Sequence, residues 1–68
     1  MKFDKRHGGP YDRGGADSYY GRAYNPHYYK GATSFSELVT MTHMTPAELE
    51  AYDAGFNDNE RNGYFKDY

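Results

Sequence analysis

The residues able to carry chemistry are few, and their spacing argues against catalysis. The histidines are His7, His27 and His43, and no two are spaced to ligate one metal from a single element. Asp53, Asp58 and Glu60 lack the order of a calcium-binding loop. Lys5-Arg6-His7-Gly8-Gly9-Pro10 is no phosphate loop, because no strand precedes it and no Gly-Lys-Ser/Thr follows. With no cysteine, disulfides and thiolate ligands are excluded. A catalytic site needs a positioned nucleophile, base or metal, so no catalytic, cofactor-binding or metal-binding residue is expected, and no enzyme. The chemistry on offer is contact chemistry. Tyr19, Tyr20, Tyr24, Tyr28 and Tyr29 interleave with Arg13, Arg22 and His27, and Tyr and Arg supply area and hydrogen bonds at interface hot spots. These eight are the candidate partner-binding residues. A protein partner, whether a bacterial host protein or a second copy in a homo-oligomer, is the first expectation. A ribosome or single-stranded nucleic acid is the second, since bases stack on aromatic rings. Against the second stands an isoelectric point near 5.8, where phosphate binding favours a basic footprint.

Composition sets the terms for any element that positions these side chains. The 68 residues include two Leu, one Val and no Ile, against nine Tyr and four Phe. Leu, Ile, Val and Phe together make about a tenth of the chain, below the ~20% under which disorder is expected. A net charge of −2 does not force the chain open. Tyrosine must therefore replace aliphatic residues in a thin core, with each hydroxyl finding water or a partner at the rim. A Tyr/Gly-rich disordered chain is the competing reading. Charge divides by halves: residues 1–30 carry +3 and residues 31–68 carry −5. Such a chain can fold back on itself, pair head to tail or meet a charged partner. The N-terminus lacks the apolar run of a signal peptide, and no stretch reaches the ~20 apolar residues of a membrane span. No membrane contact and a cytoplasmic setting are expected.

The expected fold is mainly α, a small loop-rich domain over residues 11–68 preceded by a flexible basic arm at 1–10. The clearest element starts at Met44-Thr45-Pro46-Ala47-Glu48-Leu49. Thr45 and Glu48 have capping-box spacing, Met44 and Leu49 bracket the box as a hydrophobic staple, and Pro46 suits the first helical position. An amphipathic helix is predicted over 46–62, with Leu49, Tyr52 and Phe56 on one stripe widened by Ala47, Ala51 and Ala54. Gly63 is placed to close it. A shorter helix is predicted over about 12–20, capped by Asp12 and ended by Gly21. Residues 22–31 read as an ordered aromatic loop, turned by Asn25-Pro26. Residues 35–42 alternate in the manner of a strand, although Ser34 and Glu37 also have capping-box spacing. An extended segment there needs a second strand from elsewhere. The tail Tyr64-Phe65-Lys66-Asp67-Tyr68 is aromatic enough to fold back over the core.

Two stretches share Tyr-Asp-x-Gly-x-x-Asp, at residues 11–17 and 52–58. A glycine one turn after a tyrosine opens a notch where a second backbone can approach. The echo predicts two helices crossing at Gly14 and Gly55, with Tyr11 and Tyr52 covering the contact. The stretch from Tyr11 to Arg22, with Asn25-Pro26-His27-Tyr28 and Met44–Leu49 ahead of Ala51–Phe56, resembles small proteins encoded in bacteriophage genomes. Those proteins mostly have no assigned function, and the resemblance implies a virus-encoded accessory protein acting inside a bacterium; a protein-interaction module built on the tyrosines would there inhibit or modulate a host component. Ala51-Tyr52-Asp53-Ala54-Gly55-Phe56 is also similar to the Tyr-x-x-Gly helix pattern of ribosome modulation factors, which implies ribosome binding.

Overall fold

A computed structural model describes residues 4–31 and 36–67. The order of elements is helix α1 (Pro10–Tyr19), strand β1 (His27–Tyr29), strand β2 (Leu38–Thr40), a single 3-10 turn (Met41–His43) and helix α2 (Pro46–Asn62). The fold is mainly α, with loops and one short two-stranded sheet.

Helix α2 begins as its sequence dictates. The Glu48 amide donates to Thr45 Oγ1 at 3.2 Å, and the Thr45 amide donates back to Glu48 Oε1 at 2.8 Å. Both halves of the capping box are therefore made, with Pro46 at the first helical position. Gly63 closes the helix in the left-handed conformation at φ 71°. Met44 is buried in the core cluster and Leu49 packs against it, as the staple requires. Ala51, Tyr52 and Gly55 face inward, whereas Ala47 is exposed and adds nothing to the stripe.

Helix α1 starts two residues before the expected boundary. Gly9 is its N-cap and Pro10 its first residue, and no side chain caps it. Asp12, expected as the cap, lies inside the first turn and accepts from the Gly8 amide at 3.0 Å. Proline at the first position fixes the start without a capping oxygen. Gly21 then reverses the chain at φ 69°, as expected. Gly8 and Gly9, within the expected arm, are buried, and Gly8 accepts at its carbonyl from the Tyr29 amide at 2.8 Å.

The expected aromatic loop contains a strand. β1 pairs antiparallel with β2 in the register His27↔Thr40, Tyr28↔Val39, Tyr29↔Leu38. Tyr28 and Val39 face the core together; Leu38 and Thr40 face outward, whereas His27 and Tyr29 on the other side of β1 are half-buried, in the period-two alternation of a strand. Of the expected extended segment, residues 38–40 are strand and 41–43 a 3-10 turn; its first residue lies outside the described residues.

The two helices cross at the predicted glycines. A Cβ on Gly14 would lie 2.9 Å from the Phe56 amide nitrogen and nearer still to the Tyr52 carbonyl oxygen. A Cβ on Gly55 would lie 2.9 Å from the Tyr11 carbonyl carbon. Only hydrogen fits at either position, so backbone meets backbone. The tyrosines then reach across the crossing in both directions. Tyr11 donates its hydroxyl to Asp58, and Tyr52 donates to Asp17. These are equivalent positions of the echoed motif: the tyrosine of each copy meets the aspartate of the other through its hydroxyl and the glycine of the other through its backbone. One turn on, Asn59 Nδ2 donates to Ser18 Oγ at 2.9 Å.

Around this crossing, Tyr28, Val39, Met44 and Tyr52 form the buried cluster, with Leu49 and Phe56 packed against it. Tyr52 is 0% exposed and stands where a larger domain would place leucine or isoleucine.

Candidate partner-binding surface

The eight residues singled out by type divide between the frame and the surface. Arg13, His27, Tyr28 and Tyr29 belong largely to the frame. Tyr28 is buried and donates its hydroxyl to Glu48 Oε2 at 2.7 Å, tying β1 to the first turn of α2. The Arg13 guanidinium lies 5.8 Å from the Tyr29 ring centroid, and its Nε donates to His27 Nε2 at 3.2 Å. Because His27 Nε2 accepts, His27 Nδ1 carries the proton and donates to the Asn25 carbonyl at 2.8 Å. Arg6 closes the other side of β1, donating to the Tyr29 carbonyl at 2.8 Å.

Asp17, absent from the sequence-based set, sits at the centre of this frame and is 3% exposed. Besides the Tyr52 hydroxyl it has Arg22 Nη1 at 3.6 Å, His27 Nδ1 at 3.6 Å and Arg13 Nη2 at 3.9 Å. A buried carboxylate is tolerated when hydrogen-bonded and faced by cations. The Tyr52 hydroxyl also accepts from the Asn25 amide at 3.1 Å, so one phenol joins α1, the loop before β1 and α2. Burial first, then the bond to Asp17, pushes the Tyr52 phenol well above its ordinary pKa. It stays protonated and donating through the neutral range. In composition this Asp-His-Arg-Tyr group could serve proton transfer, but neither the Asp17 carboxylate nor the Tyr52 hydroxyl meets solvent.

Tyr–carboxylate ties recur throughout. The Tyr11 hydroxyl is pushed up chiefly by its bond to Asp58, and that bond, followed by one from Arg61, holds Asp58 below the usual carboxylate range. Tyr24 is raised by burial and then by its 3.0 Å bond to Asp53. Glu48 is lowered first by the Thr45 amide and next by Tyr28. Charge plays a smaller part in closing the fold. Among the described residues, one ion pair joins the basic first half to the acidic second, Lys30–Glu37 at 3.4 Å.

Tyr19, Tyr20, Arg22 and Tyr24 form the outer group, and all four are exposed. Tyr19 and Tyr20 meet edge to face with centroids 5.0 Å apart, and the Arg22 guanidinium caps the Tyr20 ring at 4.8 Å. Tyr24 lies across Tyr52 and Phe56 at 5.3 and 5.2 Å while half its surface faces solvent. The tail comes back as expected by its backbone: Lys66 donates to the Tyr19 carbonyl at 2.6 Å, and Asn59 Nδ2 donates to the Tyr64 carbonyl at 2.6 Å. Its rings do not cover the core. Tyr64 and Phe65 are exposed at the same end of the molecule as Tyr19 and extend the aromatic surface there. Their ring types were visible in the sequence, and only the direction they face was not.

Among the described residues, no group of three or more histidines and carboxylates is arranged to hold a metal ion, and no helix is long and apolar enough to cross a membrane. No family model, no curated protein and no solved structure matches the chain.

Proposed function

We propose that the protein works by binding, as a phage-type accessory protein that docks a bacterial host protein or a second copy of itself through its exposed aromatic surface and has no catalytic role. The observation that carries this reading is the outer group. Tyr19, Tyr20 and Arg22 are exposed, yet they are held against one another by an edge-to-face contact and a cation–π contact. Rings already fixed in place lose little conformational freedom on docking, which favours affinity. As such a binding module it inhibits or modulates a host component in the bacterial cytoplasm. The rival reading, a ribosome or single-stranded nucleic acid, draws on the same arginines. Here Arg22 lies over Tyr20 and Arg13 over Tyr29, so cations already occupy ring faces on which bases would stack.

Capture from bacterial lysate at low and high salt, with the wild type and with Tyr20→Ser, tests the proposal. A protein partner that persists at high salt and is lost with Tyr20→Ser is the expected result. A captured species that contains RNA and dissociates steeply as salt rises would establish the rival instead.

A further inference from the structure

Helix α1 carries a second notch that the described residues leave open. Beside the crossing, Gly15 and Ala16 floor an open groove of about 400 Å³ walled by Tyr11, Tyr19 and Tyr20, with Lys5 and Asp12 on its rim. Gly14, one residue earlier, is forced to be glycine by the backbone of α2. Gly15 is not: a Cβ there would find the Gly55 carbonyl oxygen at 3.7 Å, an ordinary contact. Glycine weakens a helix interior relative to alanine, so the chain bears a helix-weakening residue that its own packing does not require, at the bottom of an aromatic groove.

We infer that this groove is the docking site for a second copy of the chain. The inference rests on the proposed binding role and names its partner. A two-fold interface needs one patch that is complementary to itself. This face carries both halves: a groove at Gly15 and Ala16, and four residues further on the exposed rings of Tyr19 and Tyr20. Each copy's rings enter the other's groove. The groove is lined by both signs of charge, Lys5 over the Tyr11 ring and Asp12 beside the Gly8 amide, so a two-fold that sets Lys5 of one copy towards Asp12 of the second avoids like charges face to face. The molecule already uses this logic internally, where Gly14 and Gly55 each receive the backbone of the other helix's tyrosine. A domain whose buried apolar cluster is as small as this one also gains from covering more aromatic surface.

Sedimentation velocity on the full chain over a concentration series, with circular dichroism alongside, tests the inference. The wild type is expected to rise from 7.8 kDa towards twice that mass. Gly15→Leu, at a groove-lining position where a Cβ makes only an ordinary contact, is expected to weaken association at least tenfold while keeping the helical spectrum. Lys5→Glu is expected to weaken it less, and it covers the case in which Gly15→Leu fails to fold. A wild type that stays at single-chain mass at its highest soluble concentration overturns the inference. So does a dimer that neither variant weakens. A monomeric wild type that still captures a host protein would overturn self-docking and leave the binding role intact. A groove-dependent dimer that captures nothing would uphold self-docking and remove the host partner.

Discussion

Tyr52–Asp17 and Tyr11–Asp58 are the same pair of motif positions, exchanged between two helices and placed in different surroundings. In the first pair both residues are buried, and the carboxylate is ringed by Arg13, Arg22 and His27. In the second the carboxylate stands near solvent, shared with Arg61 of its own helix. One motif thus yields a core tie and a rim tie. The glycines between them are equally intolerant of a side chain, because both face backbone. Position along the motif sets the geometry of contact, and depth sets what each contact is worth.

The largest expected effect comes from the glycines. Gly55→Ala should lower stability by roughly 3 kcal/mol, the upper part of the usual range for overpacking, because the obstructing atoms are backbone. Urea unfolding followed by circular dichroism reads it directly. The two ties should then separate. Tyr52→Phe leaves the buried Asp17 carboxylate without its closest donor and should cost about 1–3 kcal/mol. Tyr11→Phe removes a rim bond whose acceptor water can re-solvate, and should cost clearly less in the same assay. Equal losses would mean that depth does not distinguish the pairs.

Outside the crossing, Thr45→Ala removes one half of the capping box and should cost about 1 kcal/mol, with fraying confined to the first turn of α2 in amide exchange. The smallest effects are in pH. Glu48 and Asp58 have folded pKa values below their unfolded ones. Their contribution is present above the unfolded carboxylate values, near ~4, and is lost as pH falls through the lower folded values. The tyrosines behave oppositely. Tyr11, Tyr24, Tyr28 and Tyr52 are all raised, so their contribution is complete below ~10 and is lost as pH rises towards the folded values. Alkaline melting curves should show the chain weakening above that point, with Tyr52→Phe flattening the dependence most.

Much of the frame could be read from the sequence because its signals are local. The start of α2 is written in the six consecutive residues Met44–Leu49, and the crossing in a motif that occurs twice. β1 is hidden because three residues after a proline carry too little pattern to mark a strand, and the partner of its central residue lies eleven residues further along the chain. The start of α1 was misplaced because Pro10 sets it without a capping side chain. Of the candidate surface, the residue types were legible and their directions were not. Tyr28 and Tyr20 look alike in sequence, yet one binds Glu48 within the frame and the other stands at the surface under Arg22. Asp17 is marked in the sequence only as the last residue of the echoed motif, because its role depends on a tyrosine 35 residues away.

The most direct measurement is a pair of neighbouring substitutions, Gly14→Ala and Gly15→Ala, compared by urea midpoint at the lowest concentration the signal allows, so that association does not enter. Both replace glycine with the best helix former. If the helices meet backbone to backbone at Gly14, the midpoint falls sharply there and holds or rises at Gly15, where alanine fits and gains up to ~1 kcal/mol. Two shifts of the same sign and similar size would contradict the crossing, and the arrangement of tyrosines built on it.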